Sequence, residues 1–164
     1  MKKFWFIIVF VLLVTGCASS GSTEEQQEAV EVDDPFLTSY FAIVDALIQN
    51  DYKAVQEAGA QLNKAEQNDG VTLALTRMGK MIAEAPSSYQ QRMVLYQMGI
   101  VIPLYIERNS LHDYPIYKFS CKSVLDGKEG IWFSRNKESK DPYAEENKSD
   151  CVELIETIEP VKQQ

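Results

Sequence analysis

Three cysteines and one histidine are the side chains of this chain with the clearest capacity for chemistry. Cys121 and Cys151 both lie in the C-terminal part of the sequence. Two such thiols form a disulfide in an oxidising compartment, or act as soft ligands for a monovalent copper-like ion if they stay reduced. His112 is the single imidazole and could supply a weak third ligand. The residues alone leave the disulfide and the copper site as alternatives.

The third cysteine, Cys17, follows a segment typical of an export signal. Two lysines precede an uncharged apolar run over residues 4–14, and the segment ends in Val14-Thr15-Gly16-Cys17. The apolar run is about half of the roughly 20 residues that a membrane-spanning helix needs, which favours a secretory signal peptide. The last four residues resemble the bacterial lipobox, in which cleavage before the cysteine leaves a thiol that is diacylated. We therefore expect residues 1–16 to be a lipoprotein signal peptide and Cys17 to be lipidated, the alternative being an ordinary free or buried cysteine.

Residues 17–35 predict a flexible acidic tether behind the lipidated cysteine. This stretch contains acidic side chains, no basic ones and few apolar ones, so it cannot bury enough surface to offset the entropy of ordering. A simple spacer or a surface-export signal would both fit this composition. The protein would then be lipid-anchored to the cell membrane or the outer membrane, facing the periplasm or the cell surface.

Residues 36–164 predict one helical-bundle domain with a small C-terminal lobe that contains the two cysteines. Helical spacing of apolar residues, with caps and breakers between them, predicts four helices joined by short connections. We expect Asp34-Pro35 to start the first helix, Asn50-Asp51 to end it, and Gly70 to cap the end of the second. Short connections favour antiparallel neighbours, so the predicted fold class is mainly α, an up-down four-helix bundle.

The sequence also makes predictions about the surroundings of the fourth helix and about the segment that follows it. The helix is uncharged from Met98 to Ile106, which predicts that it is covered on every side, with Pro103 bending or ending it. Its apolar residues at helical spacing are Tyr89, Met93, Tyr96, Ile100 and Leu104. Beyond it, two apolar runs around the turn at residues 126–130 predict a hairpin or a tight pair of loops, and residues 152–155 predict a short C-terminal helix.

Composition and missing motifs exclude several classes of function. The chain has 16 Lys and Arg against 24 Asp and Glu, a net charge of −8, which argues against binding to nucleic acid. It has no G-x-S-x-G elbow, no P-loop, no H-E-x-x-H pair and no dinucleotide glycine fingerprint. We therefore expect a protein that is not an enzyme, with no resident cofactor.

Several short stretches together are similar to one known family. The chain resembles a bacterial periplasmic domain of unknown function, found alone in lipoproteins and fused to copper/silver efflux adaptors, over most of residues 36–155. The matching stretches are residues 40–47, 50–55, 117–121, 130–134 and 141–143, together with Cys151. The resemblance implies a helical bundle and the binding of heavy metal, or its delivery to an efflux system, with cysteines among the ligands. In this chain Lys122 and Ser123 follow Cys121 where the family has proline and methionine.

The sequence thus predicts an envelope lipoprotein that acts as a non-catalytic binding or accessory module, with an envelope protein or an efflux component as its partner. The alternative is a periplasmic protein that binds or delivers copper or silver through Cys121, Cys151 and, more weakly, His112.

Overall fold

The fold combines four helices with a three-stranded antiparallel sheet. The structure is a computed structural model, and it describes residues 34–108, 112–145 and 150–160. The predicted signal peptide, Cys17 and residues 17–33 of the predicted tether lie outside the described residues. The elements in chain order are α1 (Pro35–Ile48), α2 (Tyr52–Leu62), α3 (Gly70–Ala83), α4 (Ser88–Arg108), β1 (Ile116–Val124), β2 (Lys128–Ser134) and β3 (Glu153–Ile158).

Local signals explain where the helices begin and end. Asp34 caps α1, its carboxylate accepting hydrogen bonds from the backbone N–H groups of Phe36 and Leu37. Asn50 has φ +57°, the left-handed conformation in which a helix commonly ends, and Asp51 then caps α2. Gly70 differs from the prediction, because it is the first residue of α3 and follows the N-cap Asp69 rather than closing α2.

The helices pack on one another in chain order, and the bundle is not closed. α1 packs on α2, α2 on α3 and α3 on α4. The contact between α1 and α4 is much smaller and includes the rings of Phe36 and Tyr105, 4.9 Å apart, while strand β2 packs against both helices. The prediction of an up-down four-helix bundle is therefore wrong, and the fold is an α+β arrangement. The physical reason is that β2, whose Trp132 and Phe133 are both fully buried, packs against both α1 and α4.

The predicted C-terminal helix is also wrong, because residues 153–158 form β3. The sheet order is β2-β1-β3, with both neighbours antiparallel to the central β1. A run of four residues has no period long enough to distinguish a helix from a strand. These residues form a strand because the backbone groups at the free edge of β1 need hydrogen-bond partners.

Helix α4 continues through Pro103 to Arg108, and one of its faces remains exposed. Its buried side includes Leu95, Met98 and Ile102, whereas Ile100 is 68% exposed and Leu104 is 45% exposed. The prediction that this helix is covered on every side is therefore wrong for its outer face. Within the described residues no helix is both long and apolar enough to cross a membrane.

Candidate functional site

The two cysteines of the C-terminal lobe form a disulfide between Cys121 and Cys151, whose Cα atoms are 5.0 Å apart. Cys121 lies in β1, and Ser120 beside it pairs with Glu153 of β3. Because the strands are antiparallel, Cys151, two residues before Glu153, comes to lie next to Cys121. Cys121 is fully buried, whereas Cys151 is half-buried, so Cys151 is the sulfur that an incoming molecule can reach more readily.

Asp141 is the third polar group at this site. One carboxylate oxygen, Oδ2, lies 3.9 Å from Cys151 Sγ, and the other, Oδ1, accepts a 2.8 Å hydrogen bond from the backbone N–H of Tyr143. The ligand atoms of Cys121, Asp141 and Cys151 all lie within 4.8 Å of one another. The side chain of Asp141 is buried. The sequence interpretation did not select Asp141, although the Asp-Pro-Tyr stretch was one of the signals for the family resemblance.

Arg92 of α4 holds the loop that carries Asp141. Its Nε donates a 3.1 Å hydrogen bond to the carbonyl of Pro142, and its Nη2 donates one to the carbonyl of Ala144 and one to the side-chain oxygen of Asn50. Burial lowers the pKa of Arg92, and the nearby charges of Glu145 and Asp141 oppose this effect. Its Nη1 is buried without a hydrogen-bond partner among the described residues. The sequence interpretation missed Arg92, because nothing local distinguishes it from an exposed helical arginine.

Tyr143 fixes the same loop against β2. Its hydroxyl donates a 2.9 Å hydrogen bond to the carbonyl of Ile131, and its ring meets the ring of Trp132 edge-on at 6.0 Å. The ring also lies directly over Gly130, where an added Cβ would come within 2.7 Å of it. Burial raises the pKa of Tyr143. These contacts position the Asp141 loop independently of the disulfide.

His112, the predicted third metal ligand, lies at the other end of β1 from Cys121. The strand begins at Ile116, and the five residues from there to Cys121 span roughly 16 Å in extended conformation. The His112 ring is buried, and its Nδ1 lies 2.7 Å from the carbonyl oxygen of Tyr114. The cluster of ligand groups at the disulfide contains Asp141 and does not contain His112.

The chemistry open to this site depends on its redox state. As a disulfide, the two sulfur atoms have no thiolate charge and are poor metal ligands; they can undergo thiol–disulfide exchange. After reduction the site would offer two thiols and one carboxylate. The carboxylate disfavours the approach of a thiolate by like-charge repulsion and favours the approach of a cation.

Comparisons of this chain with protein-family models, with curated proteins and with solved structures found no match. The family resemblance therefore stays a prediction.

Proposed function

We propose that this chain is a lipid-anchored protein of the bacterial envelope that works as a non-catalytic binding or accessory module. The observation that carries the proposal is the disulfide between Cys121 and Cys151. It uses both cysteines of the folded domain and leaves Cys17, at the end of the predicted signal peptide, for lipidation. Disulfides persist mainly in exported proteins, which agrees with the predicted export signal.

A binding role is supported by the surface of α4. Ile100, Leu104 and Tyr89 are large apolar or aromatic side chains of this one helix that lie in solvent. Ile100 and Leu104 are four residues apart and therefore lie on the same face of the helix. A contiguous exposed apolar patch is often a contact site for another molecule. The partner in this proposal is an envelope protein or a component of an efflux system.

The lipid anchor is tested by the mass and the cellular fraction of the full-length protein and of Cys17→Ser. We expect the wild-type protein to lose residues 1–16, to gain a diacylglyceryl group and to fractionate with membranes. Cys17→Ser should remain an unprocessed precursor or become soluble. The matched control is Cys151→Ser, which removes a cysteine of the folded domain and should be processed and lipidated normally. Masses that differ only by the exchange of sulfur for oxygen, together with identical cellular fractions, would contradict the anchor.

A second candidate function, copper or silver binding, is favoured by the cluster of Cys121, Asp141 and Cys151. Two thiolates suit a soft monovalent ion, and a carboxylate nearby adds a negative charge that attracts it. In this alternative the residues that hold the ion are the two cysteines, with Asp141 in place of His112. The disulfide must first be reduced, because the bridged sulfurs are poor ligands.

Copper binding is tested with the reduced protein and Cu(I) buffered by a competing chelator under anaerobic conditions. We expect one ion per chain, with binding lost in Cys151→Ser and retained in His112→Gln. Oxidised protein is the reference that should not bind. Equal Cu(I) binding by reduced wild type and Cys151→Ser, or none by either, would exclude the site while leaving the lipid-anchor proposal unaffected.

A further inference from the structure

Strand β3 is weakly attached to the rest of the fold. Its residues from Glu153 to Thr157 are all exposed, and only Ile158 at its end is half-buried. Two of its three large apolar side chains, Leu154 and Ile155, are 39% and 45% exposed. Burial of apolar surface therefore contributes little to holding this strand.

Strand β2, on the other side of β1, has the opposite character. Four of its seven residues are buried, including Trp132 and Phe133, and the Trp132 ring stacks on Phe119 of β1 at 5.6 Å. The two edge strands of one sheet thus differ sharply in how much core they provide. β2 should therefore stay on the sheet under conditions in which β3 leaves it.

The pairing of β3 with β1 is interrupted. Lys118 pairs with Glu156, whereas the next residue, Phe119, pairs with Leu154, so that Ile155 is an extra residue in the ladder. The interruption divides a short strand into two shorter runs. An ion pair between Lys118 and Glu156, at 3.2 Å, also links the two strands. A partly exposed ion pair of this type contributes little to stability.

We propose that the Cys121–Cys151 disulfide is a redox-sensitive latch that holds β3 on the sheet. Oxidised, it keeps Cys151, two residues before β3, beside β1. Reduced, it leaves the interrupted ladder, the ion pair and the partial packing of Cys151, Val152 and Ile158 against the core. These contacts alone do not hold the strand, so β3 leaves β1 while the helices and the β1–β2 hairpin stay folded.

The reduction step requires a dithiol as electron donor. One thiolate of the donor attacks Sγ of Cys151, the more exposed sulfur, at a rate that repulsion from the nearby Asp141 carboxylate reduces. A mixed disulfide forms, and the bond to Cys121 breaks. The Cys121 sulfur leaves as a thiolate and takes up a proton. The second thiol of the donor then attacks its own sulfur in the mixed disulfide and releases Cys151 as a thiol, so that two electrons and two protons pass to the protein.

The latch is tested by hydrogen–deuterium exchange of the full-length protein in detergent, with and without dithiothreitol. The disulfide closes a loop of about 31 residues, for which chain entropy in a fully unfolded chain corresponds to an effect of about 500-fold. Because residues 121–145 stay folded when β3 leaves, this value is an upper limit for the effect on β3. We expect amides of residues 153–158 to exchange at least about tenfold faster after reduction, with α1, α4 and β2 unchanged. Cys151→Ser without reductant should show the same pattern.

Lys118→Gln is the matched control, since it removes the ion pair and leaves the disulfide. It should accelerate exchange in β3 only about two- to fivefold. Alkylation and intact mass must show two free thiols in the reduced sample. Unchanged protection of β3 in that sample would overturn the proposal, and so would loss of protection throughout the domain, since the disulfide would then hold the whole fold.

Discussion

The contribution of Asp69 to the stability of helix α3 depends on pH. Its carboxylate accepts hydrogen bonds from the backbone N–H groups of Val71 and Thr72, and the Thr72 hydroxyl accepts one from the backbone N–H of Asp69. These bonds, chiefly those of Thr72, lower the pKa of the Asp69 carboxyl below its ordinary value of 3.8. Its contribution to stability is therefore present above that value and is lost as the pH falls through the lower pKa of the folded state.

We expect Asp69→Asn to be less stable than wild type at pH 6 and to approach it in stability at low pH. Asparagine still caps the helix but has no charge to lose. The free energy of unfolding, from urea titrations at pH 6 and at the lowest pH where both proteins fold, measures the difference. Glu57→Gln, on the exposed face of α2, is the control. A difference that is the same at every pH would contradict the assignment.

Arg92 acts at the same scale, since one side chain connects α4, the α1–α2 turn and the Asp141 loop. We expect Arg92→Lys to lower the free energy of unfolding by about 2–4 kcal/mol, because one ammonium cannot serve acceptors arranged for a planar guanidinium. Hydrogen exchange should increase in residues 141–145. Arg77→Lys, at an exposed position of α3, should change stability by less than about 0.5 kcal/mol. Equal effects of the two substitutions would show that the buried hydrogen bonds contribute little.

At the scale of elements, helices and strands approach each other closely at glycine residues. Gly59 of α2 and Gly79 of α3 face each other, and a Cβ on Gly79 would lie 2.8 Å from the carbonyl oxygen of Gly59. Helix α4 passes β2 at Gly99, where a Cβ would lie 2.6 Å from the carbonyl oxygen of Ile131. These glycines therefore allow the elements to approach each other this closely.

We expect Gly99→Ala to destabilise the protein by about 1–3 kcal/mol, even though alanine favours a helix by up to about 1 kcal/mol over glycine. The added methyl group must push α4 away from backbone that cannot yield as a flexible side chain would. Gly70→Ala is the matched control, because nothing lies within 4 Å of an added Cβ there, and it should be neutral or stabilising. Thermal and urea unfolding measure both, and a stabilising Gly99→Ala would contradict the packing argument.

At the scale of the whole molecule, two buried phenols join the sheet to its surroundings. The Tyr40 hydroxyl of α1 accepts a 3.2 Å hydrogen bond from the backbone N–H of Phe133, and the Tyr143 hydroxyl donates to the carbonyl of Ile131. Both backbone groups belong to β2, an edge strand of the sheet. Burial raises the pKa of Tyr40 and of Tyr143. The outer edge of β2 is thereby closed by side chains from other parts of the molecule.

We expect Tyr40→Phe to lower the free energy of unfolding by about 1–3 kcal/mol, because it leaves the buried Phe133 N–H without a partner. Tyr89→Phe is the control, since the exposed Tyr89 hydroxyl bonds only to the Asp126 carboxylate among the described hydrogen bonds. It should change stability by less than about 0.5 kcal/mol. Chemical denaturation measures both, and similar stabilities for the two variants would contradict the role of Tyr40.

Local signals in the sequence determined the helices and the hairpin. Asp34, Asn50 and Asp51 act within a few residues of themselves, so the start of α1 and the break between α1 and α2 could be predicted. The turn between β1 and β2 was predicted for the same reason. Spacing along one helix, however, does not say which face will find a partner, and Ile100 and Leu104 lie in solvent.

Only the tertiary structure decided the role of residues 152–158, the open form of the helical layer and the surroundings of the cysteines. β3 exists because the edge of β1 provides hydrogen-bond partners for it, and β2 packs against both α1 and α4 with two fully buried side chains, Trp132 and Phe133. Asp141 comes beside Cys151, and Arg92 beside the Asp141 loop, through contacts between residues far apart in the chain. The sequence by itself determined which types of reactive group the protein contains. The tertiary structure determined which of these groups lie next to each other, because their proximity depends on packing rather than on their spacing along the chain.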